Sequence, residues 1–243
     1  MEKRIIGRGL LAGAIASVAA FVFARTFVEP VIEQAIAFEE LQAGGHDHGA
    51  ELFTRGVQAN IGMGFGVLAF GVAMGALLAV VFCVAYGRVG HSSPRLLSVL
   101  LAGGMFLSLY VVPFLKYPAS PPAVSLEETI RQRTLLYLLA VVASAVLLVA
   151  AVSLGRRLLE RFGAWSATLI AAAAYVAVLA VVMAALPTID ETPQGFPADV
   201  LYEFRLYSLG TQAVLWTIIA VVFGSTVHGL LGERQREKSY LAA

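Results

Sequence analysis

His46, Asp47 and His48 place two imidazoles and a carboxylate at alternate positions in a glycine-flanked stretch, and Glu33, Glu39 and Glu40 lie just before them. Nowhere else in the chain do acids and histidines crowd together. Carboxylate oxygen and neutral imidazole nitrogen are natural ligands of hard and borderline divalent cations. Three such groups suffice for weak capture, whereas a defined site needs further fixed ligands and an oriented outer shell. A solvated polar turn is the competing reading of the same residues. The segment from Glu29 to Glu40 reads as a short helix: Pro30 suits a first turn and Gly44-Gly45 a stop. Val31, Ile32, Ala35, Ile36 and Phe38 cover one side, and Glu33, Gln34, Ala37 and Glu40 the other, as in a helix lying in a membrane interface. Glu39 projects from the apolar side and must find a partner, either a bound cation or, in the slightly favoured reading, Arg25 or Arg55.

A second polar group, Arg205, Ser208, Thr211 and Gln212, shares one helical face. It lines a vestibule or hydrogen-bonds across helices; the residue types allow both. His91 and His228 each stand alone and read as structural. Cys83 and Met63, Met74, Met105 and Met183 form no soft-metal array, which disfavours copper or silver. There is no G-x-x-x-x-G-K-[ST] phosphate loop. No nucleophile, base and orienting group assemble into a catalytic set, so no enzyme activity, catalytic residue or permanently bound cofactor is expected.

The elements that must position these residues are membrane helices. Of 243 residues, 59% are hydrophobic and 14% charged, against roughly 25% charged in soluble domains. The net charge of +1 offers no basic surface for nucleic acid, so the lipid bilayer is the expected partner. About 20 apolar residues cross the hydrocarbon core, which gives six spans: Ile5 to Val28, Ile61 to Tyr86, Leu96 to Leu115, Thr134 to Leu154, Trp165 to Leu186 and Ser208 to Leu230. The first is too long for a secretory signal and lacks a convincing cleavage site. Pro113 predicts a kink in the third. One set of flanks carries eleven Lys and Arg, the alternate set six. Both termini are therefore expected in the cytoplasm, with the histidine-bearing loop outside. The expected fold is an all-α polytopic bundle of about six transmembrane helices, a single membrane domain over residues 1–243 with a short interfacial helix after the first span.

Gly9, Gly13, Ala16, Ala20 and Ala24 make a small-residue stripe on the first span, and Gly64, Gly71 and Gly75 make one on the second. Such stripes let backbones approach, and plain packing is favoured over a pathway. The middle of every span lacks Asp, Glu, Lys, Arg and His, which disfavours a buried proton relay and a bis-histidine haem.

The strings Arg8-Gly9-Leu10-Leu11-Ala12-Gly13, Glu29-Pro30, Ala35-Ile36-Ala37-Phe38-Glu39-Glu40 and Arg55-Gly56-Val57-Gln58 resemble the CbtA family, the proposed membrane subunit of a cobalt transporter. The resemblance continues through Tyr86-Gly87-Arg88-Val89-Gly90, Val112-Pro113-Phe114-Leu115-Lys116-Tyr117-Pro118, Pro121-Pro122-Ala123-Val124, Phe204-Arg205 and Ser208-Leu209-Gly210-Thr211-Gln212. It implies cobalt uptake connected with cobalamin synthesis, and a small single-span partner subunit with a histidine-rich tail. The leading expectation is a permease subunit whose outer loop captures Co²⁺ at His46, Asp47, His48, Glu33, Glu39 and Glu40 and passes it to the Arg205–Gln212 vestibule. A non-transporting, metal-responsive membrane scaffold is the second.

Overall fold

The computed structural model describes residues 2–42, 54–89, 92–124, 127–189 and 191–241. Among the described residues the chain is helical and has no strand. In chain order the elements are α1 (Glu2–Phe23), a π-helical turn (Ala24–Val28), α2 (Glu29–Gln42), α3 (Arg55–Val57), a second π turn (Gln58–Gly62), α4 (Met63–Ala85) and α5 (Pro94–Phe106). A third π turn (Leu107–Val111), α6 (Val112–Lys116), a 3₁₀ turn (Pro122–Val124), α7 (Glu127–Ala185) and α8 (Ala198–Leu241) complete the chain. Among the described residues, five continuous helical stretches are long and apolar enough to cross a membrane: Glu2–Gln42, Arg55–Ala85, Pro94–Lys116, Thr129–Ala185 and Ala198–Gly232.

The fourth stretch folds back on itself. Gly163 lies at φ 72°, ψ 166°, a conformation open to glycine and costly for residues with a Cβ. The hydroxyls of Ser144 and Tyr175 are 2.9 Å apart, whereas a straight helix would separate residues 31 positions apart by roughly 46 Å. Residues 127–162 and 164–185 are thus antiparallel arms, each longer than the about 20 residues a crossing needs. They correspond to the fourth and fifth expected spans.

The segment after the first span does not form a separate turn-and-helix. The Glu29 N–H donates to the Ala24 carbonyl, five residues back, and the chain stays right-handed helical through both flanking residues. Proline at position 30 brings no N–H, and its ring would crowd the carbonyl four residues earlier in a regular helix. The wider π turn relieves that crowding, so α1 runs into α2 without a break. The same device recurs ahead of Pro113: the Val112 N–H reaches back to Leu107. Here the carbonyl that proline deprives of its donor, Leu109, accepts the Tyr137 hydroxyl at 3.2 Å. Tyr137→Phe is therefore expected to lower the stability of the purified protein, followed by thermal unfolding, by about 1 kcal/mol, the cost of leaving a part-buried carbonyl unsatisfied.

Two compact units divide the chain, Met1–Gly103 with Ala198–Ala243, and Gly104–Pro197. In the first, α1 and α4 pack antiparallel through their glycines. A Cβ at Gly9 would overlap the Gly75 carbonyl, and one at Gly13 the Gly71 carbonyl. The small-residue stripes therefore mediate backbone packing, where lipid-solvated helices gain contact energy. α8 lies along α1 in the opposite sense, fixed by Phe27 on Tyr207, Phe23 against Gly210 and the Arg8 guanidinium on the Thr226 carbonyl at 2.6 Å. Leu78, Phe82, Ile219 and Phe223 fill the core between α4 and α8, the two phenyl rings edge-on at 5.4 Å. In the second unit the third π turn and α6 pack on α7, and the Tyr117 hydroxyl donates to the Pro187 carbonyl at 2.8 Å. Burial pushes the Tyr117 phenol above its ordinary value, so it stays a neutral donor.

Candidate functional site

The polar residues of the first unit gather where α1 passes into α2. Glu29 is 1% exposed, and its Oε1 is ion-paired with the Arg55 Nη2. One turn earlier, the Arg25 Nε donates to the Asn60 Oδ1 at 3.1 Å on the exposed edge of the same helix pair. Arg25 and Asn60 lie in π turns, and Glu29 directly follows one. An added residue in a helix rotates all later residues by about 100°, and this places Glu29 on the inward face. Arg55 is the first residue of α3, so its side chain leaves from a helix end, and it is 35% exposed.

α8 supplies the third wall. Phe27 on Tyr207 and Phe23 against Gly210 fix its register on α1. Carried outward by half a turn, that register brings Arg205 level with Glu29, and carried inward it sets Gln212 about two turns deeper. Ser208, Gln212, Leu215, Trp216 and Ile219 continue one face at helical spacing, and Leu215, Trp216 and Ile219 on it are buried. The Thr211 hydroxyl is spent on the Tyr207 carbonyl at 2.8 Å. Among the described residues five buried atoms, all in this unit, have no hydrogen-bond partner: Glu29 Oε2, Arg55 Nε, and, successively further along α8, Gln212 Oε1, Trp216 Nε1 and His228 Nδ1. Buried polar atoms are ordinarily satisfied, so the unpaired Glu29 Oε2 and Arg55 Nε within one ion pair are a feature to explain.

Of the residues singled out from sequence, Arg205, Ser208, Thr211 and Gln212 lie together on α8 as a half-buried group. Glu33, Glu39 and Glu40 are exposed on α2. The expected ion pair of Glu39 with Arg25 or Arg55 does not form. Arg55 lies level with Glu29, and ten further residues of unbroken helix carry Glu39 roughly 15 Å beyond it. His46, Asp47 and His48 lie outside the described residues, as does His91. Among the described residues no three His, Cys, Asp or Glu side chains come together as a metal-binding group. His228 is half-buried on α8, with its Nδ1 unpaired. Sequence reasoning missed Glu29 as a buried charge, because an acid beside a proline at the end of an apolar run reads as a boundary. The one signal for it was Arg55, a basic residue just ahead of the next span.

The second unit carries a different cluster. Glu191, 9% exposed, accepts the Arg133 Nη1 at 2.7 Å and the Thr129 hydroxyl. Beside it Tyr110, Phe114, Tyr137, Leu138 and Arg133 line a cavity of about 570 Å³, within the size range of small-molecule pockets.

Helical throughout its secondary structure among the described residues, with five long apolar stretches and a carboxylate–guanidinium pair whose carboxylate is buried, the chain is a polytopic membrane protein with a polar cluster between packed helices. The family model described as probable cobalt transporter subunit (CbtA) matches residues 2–228. The chain belongs to that family. No curated protein and no solved structure matches it.

Proposed function

We propose that the chain is the membrane permease subunit of a cobalt uptake system. Its family membership over residues 2–228 carries this reading, and the polar cluster between the helices of the first unit supports it. On this reading the outer face holds the acidic α2 and the His46-Asp47-His48 hook, and both termini lie in the cytoplasm. The excess of Lys and Arg on the opposite flanks supports that orientation in the cell membrane. The antiparallel arms 127–162 and 164–185 supply the sixth crossing that keeps the two termini on one side. Glu33, Glu39, Glu40, His46, Asp47 and His48 raise the local concentration of hydrated Co²⁺ and exchange its waters for oxygen and nitrogen ligands. The ion then passes to the Arg205, Ser208, Thr211 and Gln212 group at the head of α8. The membrane potential drives it inward, at about 2.3 kcal/mol per charge per 100 mV and twice that for a divalent ion. A small single-span, histidine-rich subunit is the partner that delivers or accepts the metal.

Capture needs neutral imidazoles. Co²⁺ titrated into the purified protein is thus expected to bind more weakly as pH falls through about 6.5. Replacing His46, Asp47 and His48 together with alanine should weaken binding by about tenfold and flatten that pH dependence. Unchanged affinity and an unchanged pH profile in the triple variant would show that the hook takes no part in capture.

A further inference from the structure

Glu29 combines three properties. Among the described residues it is the buried carboxylate of its unit, 1% exposed, one of its oxygens is committed to Arg55, and the other, Oε2, is buried and faces no donor. Its partner is poorly anchored by comparison. Arg55 starts a helix, is 35% exposed, and leaves its own Nε unpaired. Glu29 directly follows a π turn and Arg55 opens the short helix that leads into another; at such turns one hydrogen-bond register gives way to another and small rotations of the chain come easily. A buried ion pair of this kind is weak evidence for stability, since desolvation consumes much of its Coulomb gain.

We propose that Glu29 is a cation ligand of the transport path and that Arg55 is its resident counter-charge, displaced when a divalent cation arrives. The proposal rests on the cobalt-permease reading above. The exchange is set by valence. At equal distance and screening a divalent ion attracts the carboxylate twice as strongly as a guanidinium does, whereas a monovalent ion gains nothing over it. Oε2 provides the second oxygen, Arg55 turns toward its exposed side, and the pair rejects Na⁺ and K⁺ without a size filter. Arg25, tied to Asn60, and Arg205, level with Glu29 on α8, add positive charge nearby, and Glu33, one turn beyond Glu29 on the exposed side of α2, adds negative charge. Below the pair, the unpaired Gln212 Oε1 is the next acceptor along the same face.

The test is Co²⁺ binding to the purified full chain, measured by equilibrium dialysis in a background of Na⁺ or K⁺. Glu29→Gln is expected to lower affinity at least tenfold, and Arg55→Lys, which keeps the charge but loses the guanidinium fork, to raise it severalfold. Arg55→Gln should raise it further; Arg55→Lys decides the matter where the glutamine variant does not fold. Excess Na⁺ or K⁺ should leave wild-type binding unchanged. A purely structural ion pair predicts the same sign for both substitutions, a loss of thermal stability and of affinity together. Weaker binding in Arg55→Lys, or wild-type affinity in Glu29→Gln, overturns the proposal while leaving the permease reading in place. Wild-type protein that binds no Co²⁺ overturns both.

Discussion

Gly13→Val is expected to abolish the folded protein, with loss of the monodisperse species in detergent. A Cβ at position 13 would meet the Gly71 carbonyl oxygen and carbon and the Val72 Cα, all backbone atoms. A side chain can change rotamer, but these atoms move only if the helix does. The contact is reciprocal, since Gly71 faces the Gly13 carbonyl and the Ser17 hydroxyl, and Gly75 faces Gly9 and Gly13. Overpacking costs about 1–3 kcal/mol where side chains can shift. Here the whole α1–α4 interface must separate, and total stability is only about 5–15 kcal/mol. Lipid tails are as apolar as the side chains, so close backbone approach holds the pair together. Gly66→Val on the same α4 is the control, because a Cβ there has nothing within 4 Å. Size-exclusion profiles of the two variants at equal expression check the expectation, and a wild-type profile for Gly13→Val would contradict it.

Arg133→Ala is the second large effect, and it concerns the other unit. Removing the guanidinium leaves Glu191 buried with the Thr129 hydroxyl as its remaining donor among the described residues. Breaking a buried pair from one side costs about 3–5 kcal/mol, mostly the penalty for an uncompensated charge. The double variant Arg133→Ala with Glu191→Gln should recover most of that loss, because the charge is gone. Thermal unfolding of the four proteins of this cycle measures the coupling. Arg25→Ala provides the contrast: its partner Asn60 is exposed, and less than about 1 kcal/mol is expected for a surface contact. Equal losses for Arg25→Ala and Arg133→Ala would contradict the burial argument.

Much of the fold was legible in the sequence because membrane helices announce themselves by length and hydropathy. The arms of α7 coincide with the fourth and fifth spans expected from apolar runs, and the glycine stripes of the first two spans meet as plain packing. The path of the chain after Val28 was not legible. Proline at position 30 reads as the start of a new helix, and only the wider turn ahead of it lets one helix continue. That continuity decided the site. It turned Glu29 inward against Arg55 and carried Glu39 out of reach of both expected partners. The group on α8 was readable from its spacing alone, whereas Asn60 met Arg25 through a register that no local pattern encodes.

The central claim, that this chain carries cobalt across the membrane, is tested most directly by uptake. Radioactive cobalt is supplied at limiting concentration to cells that lack other cobalt uptake, with and without this chain, and with and without the proposed small partner subunit. Accumulation is predicted to require this chain, to fall when the membrane potential is collapsed, and to be strongly reduced by Glu29→Gln. Equal accumulation in cells with and without the chain would contradict the claim.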